Sequence, residues 1–202
     1  MNHITKLGQL IVIDGIDQSG KKTQTKLLAR KIRRHGFSCA IWSFPAYRTP
    51  LGQRLKAYLA GKERPDLRVV HLLYAANKWE VAAKISEQRM HGTVVIANRY
   101  TPSNLAYGAA HGLPLTWLTT LEAELPKPNR IFILDVPVKI SFGRKTQQRD
   151  IHEEDASYLK KVRRMYLRLA KERNWTVVNG RSEPSVVHSQ IWKLVAKSLQ
   201  TE

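Results

Sequence analysis

After the first apolar run the chain reads Gly15-Ile16-Asp17-Gln18-Ser19-Gly20-Lys21-Lys22-Thr23. This is the pattern G-x-x-x-x-G-K, in which glycines let backbone N–H groups converge on phosphate oxygens and the lysine reaches the terminal phosphates. A helix following such a turn adds the positive end of its dipole. One position departs from the pattern. A hydroxyl normally follows the lysine and helps to hold Mg²⁺, but Lys22 stands there, with Thr23 one place later. An ammonium has no lone pair to offer a metal. The expectation is therefore a Mg²⁺ that keeps its waters, with Thr23 and Asp17 as candidates to hold it through them.

Other residues of matching chemistry lie further along. Bringing two polyanions together demands cations, and Arg99 offers a planar fork for a second phosphate where Lys21 offers a point charge. Tyr74 carries a flat ring that can stack a base, worth about 1–3 kcal/mol on nucleic-acid precedent. The stretch Arg144-Lys145-Thr146-Gln147-Gln148-Arg149-Asp150 is dense in cations. Taken singly, Tyr74 and Tyr107 also read as core packing and Arg99 as a surface charge.

Strands and helices must position these residues, and the pattern alternates the two. Residues 9–14, 39–44, 93–97, 130–135 and 176–178 read as strands. The first, third and fourth are near-continuous Val/Ile/Leu, as in parallel strands covered on both faces. Lys21 to Arg34 reads as a helix stopped at Gly36. Pro65 opens a long helix through about Arg89, whose middle (Val69 to Trp79) is apolar nearly all round and should be buried. Leu159, Val162, Tyr166 and Leu169 repeat at helical spacing, as do Val187, Ile191, Leu194 and Ser198. Glu153, Glu154 and Asp155 mark a helix opening. The expected fold is a three-layer α/β/α domain with a five-stranded parallel sheet, spanning residues 1–202. Ligands in such sheets bind at the carboxyl ends of the strands.

Four segments, in order and at consistent spacing, resemble the thymidylate kinase family of P-loop nucleoside monophosphate kinases. They are the glycine-rich turn, Phe44-Pro45-Ala46-Tyr47, the helix segment from His71 to Glu80, and Asn98-Arg99-Tyr100-Thr101-Pro102-Ser103-Asn104-Leu105-Ala106-Tyr107. The resemblance implies transfer of the γ-phosphoryl group of ATP to dTMP, with ATP and Mg²⁺ bound and a homodimer as the common assembly. It implies an ATP site on Gly15, Ile16, Gln18, Ser19, Gly20, Lys21, Lys22 and Thr23. On the acceptor side it places Asp17 by the sugar and phosphate, Tyr74 against the base and Lys78 at a base carbonyl. Asn104 falls at the thymine edge and Tyr107 at the ribose 2′ position. Arg99 grips the acceptor phosphate near Tyr47, Phe44 and Ser103 join the implied substrate contacts, and Arg48 stands in for an arginine that does not align. Residues 143–152 correspond to a lid over the donor, so Lys21, Arg99, Asp17, Arg144 and Arg149 form the implied catalytic set. Asn98 replaces an expected Asp, and Lys78 an arginine.

Composition bounds the rest. The 202 residues are 43% hydrophobic, which excludes a disordered chain, and no apolar run nears the roughly 20 residues of a membrane span. The start lacks the long apolar region of a signal peptide. A single cysteine, Cys39, fits a reducing cytoplasm and excludes an internal disulfide. The formal net charge of +18 points to an anionic partner without separating nucleotide from nucleic acid. Nucleic acid is therefore not the primary expectation. Two alternatives stay open on the residues alone: a kinase for another nucleoside monophosphate, and a catalytically weak nucleotide- or nucleic-acid-binding protein.

Overall fold

The computed structural model describes residues 7–144 and 155–200. Five strands, β1 (Leu10–Asp14), β2 (Cys39–Ser43), β3 (Val94–Asn98), β4 (Arg130–Asp135) and β5 (Thr176–Asn179), form one parallel sheet in the order β2-β3-β1-β4-β5. β1 is central and fully buried, which explains its unbroken Leu-Ile-Val-Ile run. Its alternate side chains serve two cores. Ile11 and Ile13 pack beneath α1 (Lys21–Arg34) and α8 (Pro184–Gln200), while Leu10 and Val12 meet α3 (Leu67–Met90) on the other face. The second face is completed by α4 (Thr101–Ala110) and α7 (Ala156–Glu172), packed around Leu105, Val162 and Tyr166.

Several expectations hold with small shifts at the ends. α1 and β4 have the expected bounds, and Leu159, Val162, Tyr166 and Leu169 are all buried along α7. Asp155 caps α7 by accepting from the Tyr158 amide at 2.9 Å. Residues 151–154, where the acidic opening was expected, lie outside the described residues. In α8 the buried row is Val187, Ile191 and Val195, and Leu194 is exposed.

Two readings of α3 need correction. Pro65 does not occupy the first turn, because Asp66 is the cap and takes the Arg68 amide at 2.8 Å. Nor is the middle buried all round. Val69, Leu72 and Trp79 are 44%, 44% and 43% exposed, on one side of a helix whose other side holds His71, Ala75 and Lys78 in the interior. At 100° per residue, positions 69, 72, 76, 79 and 83 fall within about 40° of one line, and Tyr74 points the opposite way. Further short helices, α2 (Pro50–Leu59), α5 (Leu115–Leu121) and α6 (Val138–Gly143), fill the connections. Their short apolar rows carry too little periodic signal to read in advance.

Candidate active site

The turn after β1 is built as its glycines require. Gly15 has φ +137°, and a Cβ there would stand 2.6 Å from the Leu134 carbonyl oxygen of β4. Gly20 has φ +99° and caps α1. These are conformations that L side chains resist. Buried Lys21 folds back so that Nζ donates to the carbonyls of Gly15 at 3.0 Å and Ile16 at 2.6 Å. Ser141 of α6 braces the same turn, donating to the Asp17 carbonyl at 2.6 Å.

Two openings flank this turn. One, of about 1400 Å³ counting the open solvent at its mouth, is lined by Gln18 to Thr23, by Asn98 and by Arg144. Arg144 is anchored there, donating to the carbonyls of Gln18 at 3.1 Å and Gly180 at 3.0 Å. Gly15 and Ile16 contribute carbonyls to Lys21 rather than walls to this basin. The other, a cleft of about 680 Å³ counting its mouth, is lined by Phe44, Tyr47, Tyr74, Lys78, Asn104 and their neighbours. Asp17 and Arg99 line both, so the two openings meet at that pair.

The junction is electrostatically tight. Arg99 forms an ion pair with Asp17 and reaches Ser103 Oγ at 3.2 Å, and its guanidinium lies 5.4 Å from the centre of the Tyr107 ring. Tyr107 donates its hydroxyl hydrogen to Asp17 Oδ2 at 2.6 Å. Burial alone would raise the Asp17 pKa. The charges of Arg99 and Lys21 and the Tyr107 hydrogen bond outweigh it and hold the carboxyl well below the usual carboxylate range. Arg99 is itself held more firmly protonated, because its burial is overcome by Asp17. Its backbone has φ +64°, a left-handed conformation for a side chain that bears a Cβ. Local strain of this kind persists where the surroundings over-determine it.

Beneath the junction lies Asp14, which sequence reasoning passed over. Its fully buried carboxylate accepts from the amides of Gly15 (2.9 Å), Tyr100 (3.1 Å) and Ser103 (3.1 Å), and from the hydroxyls of Ser103 (2.7 Å) and Tyr166 (2.8 Å). It thereby ties β1 to the start of α4 and positions Arg99 between them. A carboxylate ending a buried strand was the available signal. Asn77 was also missed. Its side chain accepts from the Ala46 amide at 2.8 Å and donates to Thr49 Oγ1 at 2.8 Å, fixing the segment that carries Phe44 and Tyr47.

The base end of the cleft differs from expectation in detail. Lys78 does not stand free: its Nζ donates to Glu122 Oε1 at 2.7 Å and to the Tyr74 carbonyl at 2.9 Å. Asn104 shares Glu122 Oε1 at 3.0 Å. Glu122 gave no sequence signal, since it meets Lys78 across 44 positions of chain. Arg48 is exposed and, among the described residues, is not part of the cleft lining. Arg149 and most of the expected lid, residues 145–152, lie outside the described residues.

The donor set for a metal is poor. Lys22 lines the larger basin with an ammonium where a hydroxyl was wanted, and Asn98 offers a neutral amide. Asp17 is committed to Arg99 and Tyr107, and Asp14 to its five donors. No group of three His, Cys, Asp or Glu side chains able to hold a metal occurs among the described residues. A protein-held Mg²⁺ does not fit these residues.

The family model described as thymidylate kinase matches residues 13–191. The chain belongs to the thymidylate kinase family. It is 34% identical to a Schizosaccharomyces pombe thymidylate kinase over 194 residues, covering 94% of this chain and 92% of the relative. It is 32% identical to an Arabidopsis thaliana thymidylate kinase over 188 residues, covering 93% of this chain and 71% of the relative. The solved thymidylate kinase of Candida albicans superposes with a TM-score of 0.87 at 26% identity, covering 97% of this chain and 94% of that one. The P-loop α/β fold and the family reaction, ATP-dependent phosphorylation of dTMP to dTDP, are thus this chain's. Among the described residues no helix is long and apolar enough to cross a membrane.

Proposed function

We propose that this thymidylate kinase carries out in-line transfer at the Asp17–Arg99 junction, with ATP in the larger basin and dTMP in the cleft. The observation that carries the reading is the shared wall, because two openings that meet at one ion pair can hold donor and acceptor phosphates end to end. Lys21 and the turn amides would hold the donor phosphates, exchanging the loop carbonyls Lys21 now contacts for phosphate oxygens. Arg99, held by Asp17, would grip the acceptor phosphate beside Ser103 and Tyr107, with Tyr74 stacking on the base. Arg144, joined by Arg149, would neutralise charge developing on the transferred group. No general base is called for, since the attacking oxygen already belongs to a phosphate, and positioning supplies most of the rate. Magnesium enters this reading only as the nucleotide's own counter-ion with its waters retained, and no step is routed through it.

The test is ADP release coupled to dTMP. The Lys21→Ala variant should lose kcat/KM for ATP by orders of magnitude, and a variant near wild-type activity would overturn the donor assignment. The assembly in this reading is a homodimer joined through α3, supported by the exposed apolar row Val69, Leu72 and Trp79 along one side of that helix. Leu72→Glu should yield monomers in sedimentation, and an unchanged assembly would contradict it. A reducing cytoplasm is the setting, supported by the single cysteine, which is free.

A further inference from the structure

The residues flooring the base end of the cleft are tied from beneath, and the ties decide which of their atoms are left for a ligand. The amide nitrogen of buried Asn104 spends both hydrogens, on Glu122 Oε1 at 3.0 Å and on the His71 carbonyl at 3.2 Å. Its Oδ1 lies 2.6 Å from His71 Nδ1. An amide oxygen only accepts, so Nδ1 carries the hydrogen and Nε2 accepts from His111 Nδ1 at 3.3 Å. Burial keeps His71 neutral, its pKa drawn down to about 4. Lys78 has spent two of its three ammonium hydrogens, on Glu122 and on the Tyr74 carbonyl. Among the described residues, one N–H on Lys78 and one lone pair on Asn104 Oδ1 are left without a partner, on two side chains that share Glu122 Oε1 and both line the cleft.

We propose that Glu122 is a positioning residue for base selection: by anchoring Lys78 and Asn104 together, it makes the cleft present one donor next to one acceptor. That pair complements a pyrimidine with C4=O beside N3–H, and it opposes cytosine, which offers an amine beside a bare nitrogen. The proposal rests on the cleft being the acceptor site. Turning the Asn104 amide over would offer cytosine N3 a donor, but it would set Oδ1 against the Glu122 carboxylate and against the His71 carbonyl. The network therefore forbids the alternative orientation. Glu122 itself is buried and is not part of the cleft lining. Its second oxygen, Oε2, has no hydrogen-bond partner among the described residues, an arrangement that packing alone would not favour over an apolar side chain. Burial pushes its carboxyl up, against the pull of Lys78.

The experiment compares kcat and KM for dTMP and dCMP at saturating ATP and Mg²⁺ in wild type, Glu122→Leu and Glu122→Gln. In Glu122→Leu the ratio of kcat/KM for dTMP over dCMP should fall by about tenfold or more, through a higher KM for dTMP. Its kcat and its KM for ATP should stay within about twofold of wild type. Glu122→Gln keeps a carbonyl oxygen for both donors and should recover part of the ratio. A folded Glu122→Leu enzyme with the wild-type ratio, or with equal losses for both nucleotides, overturns the proposal. Should Glu122→Leu not fold, the Lys78→Met/Glu122→Leu pair removes both buried charges together, an exchange that cores tolerate. It must show the same loss, and the wild-type ratio there also overturns the proposal. Wild-type enzyme whose dTMP does not bind in the cleft would instead sink the site assignment, a separable failure.

Discussion

Arg99→Lys isolates the fork from the charge. Arg99 reaches Asp17, Ser103 Oγ at 3.2 Å and the face of Tyr107 at 5.4 Å, all from one planar group. A lysine keeps the positive charge and satisfies Asp17, but it cannot hold Asp17 with one nitrogen and a phosphate with another in a fixed plane. The substitution therefore removes about one charge-assisted hydrogen bond to the acceptor phosphate, worth roughly 1.5–3 kcal/mol. This corresponds to about a 10- to 150-fold fall in kcat/KM for dTMP. The KM for ATP should hardly move, because in the proposed arrangement the donor would be held by Lys21 and the turn amides. Both residues meet the same left-handed backbone, so thermal stability should change little. The measurement is ADP release against dTMP concentration at saturating ATP. A kcat/KM for dTMP within about threefold of wild type would refute the assignment of Arg99 as the phosphate fork.

Two further outcomes follow from the geometry. Gly15→Ala puts a methyl 2.6 Å from the Leu134 carbonyl oxygen at φ +137° and should cost about 1–3 kcal/mol in denaturant unfolding, with loss of ATP binding. His71 is neutral in the fold down to about pH 4, whereas the unfolded chain protonates it near its ordinary value of 6.5. Between those values the unfolded state binds more protons, so stability rises with pH across the window and is lost as pH falls through it. A melting series from pH 7 to 4 should show a steeper fall for wild type than for His71→Gln, and parallel curves would contradict the assignment.

What the sequence revealed depended on how local each cause was. The turn from Gly15 to Thr23 and the helix behind it could be read because glycine freedom and helix polarity act within a few residues. β1 could be read because burial on both faces leaves a continuous apolar run. The α3 surface was misread because Val69, Leu72 and Trp79 look the same in sequence whether a neighbour covers them or not. Asp14 was overlooked because an acid ending a buried strand signals a role without showing the five donors that converge on it from the turn after β1, the start of α4 and α7. Glu122 could not be found at all. Its role exists only once α5 brings the chain past α3, and no spacing rule links positions 78 and 122. The same limit applies to Lys78, expected at a base carbonyl, whose surroundings supply a buried carboxylate partner.

One rod, α3, carries both an aromatic wall of the cleft and, on its reverse, the oily row that the proposed homodimer would cover. Pairing and nucleotide capture would then lean on a single stiff element from opposite sides. By linkage, whatever factor mating imposes on dTMP affinity, dTMP must impose on mating. Dilution of the enzyme would therefore be a second way to read how tightly the cleft is set.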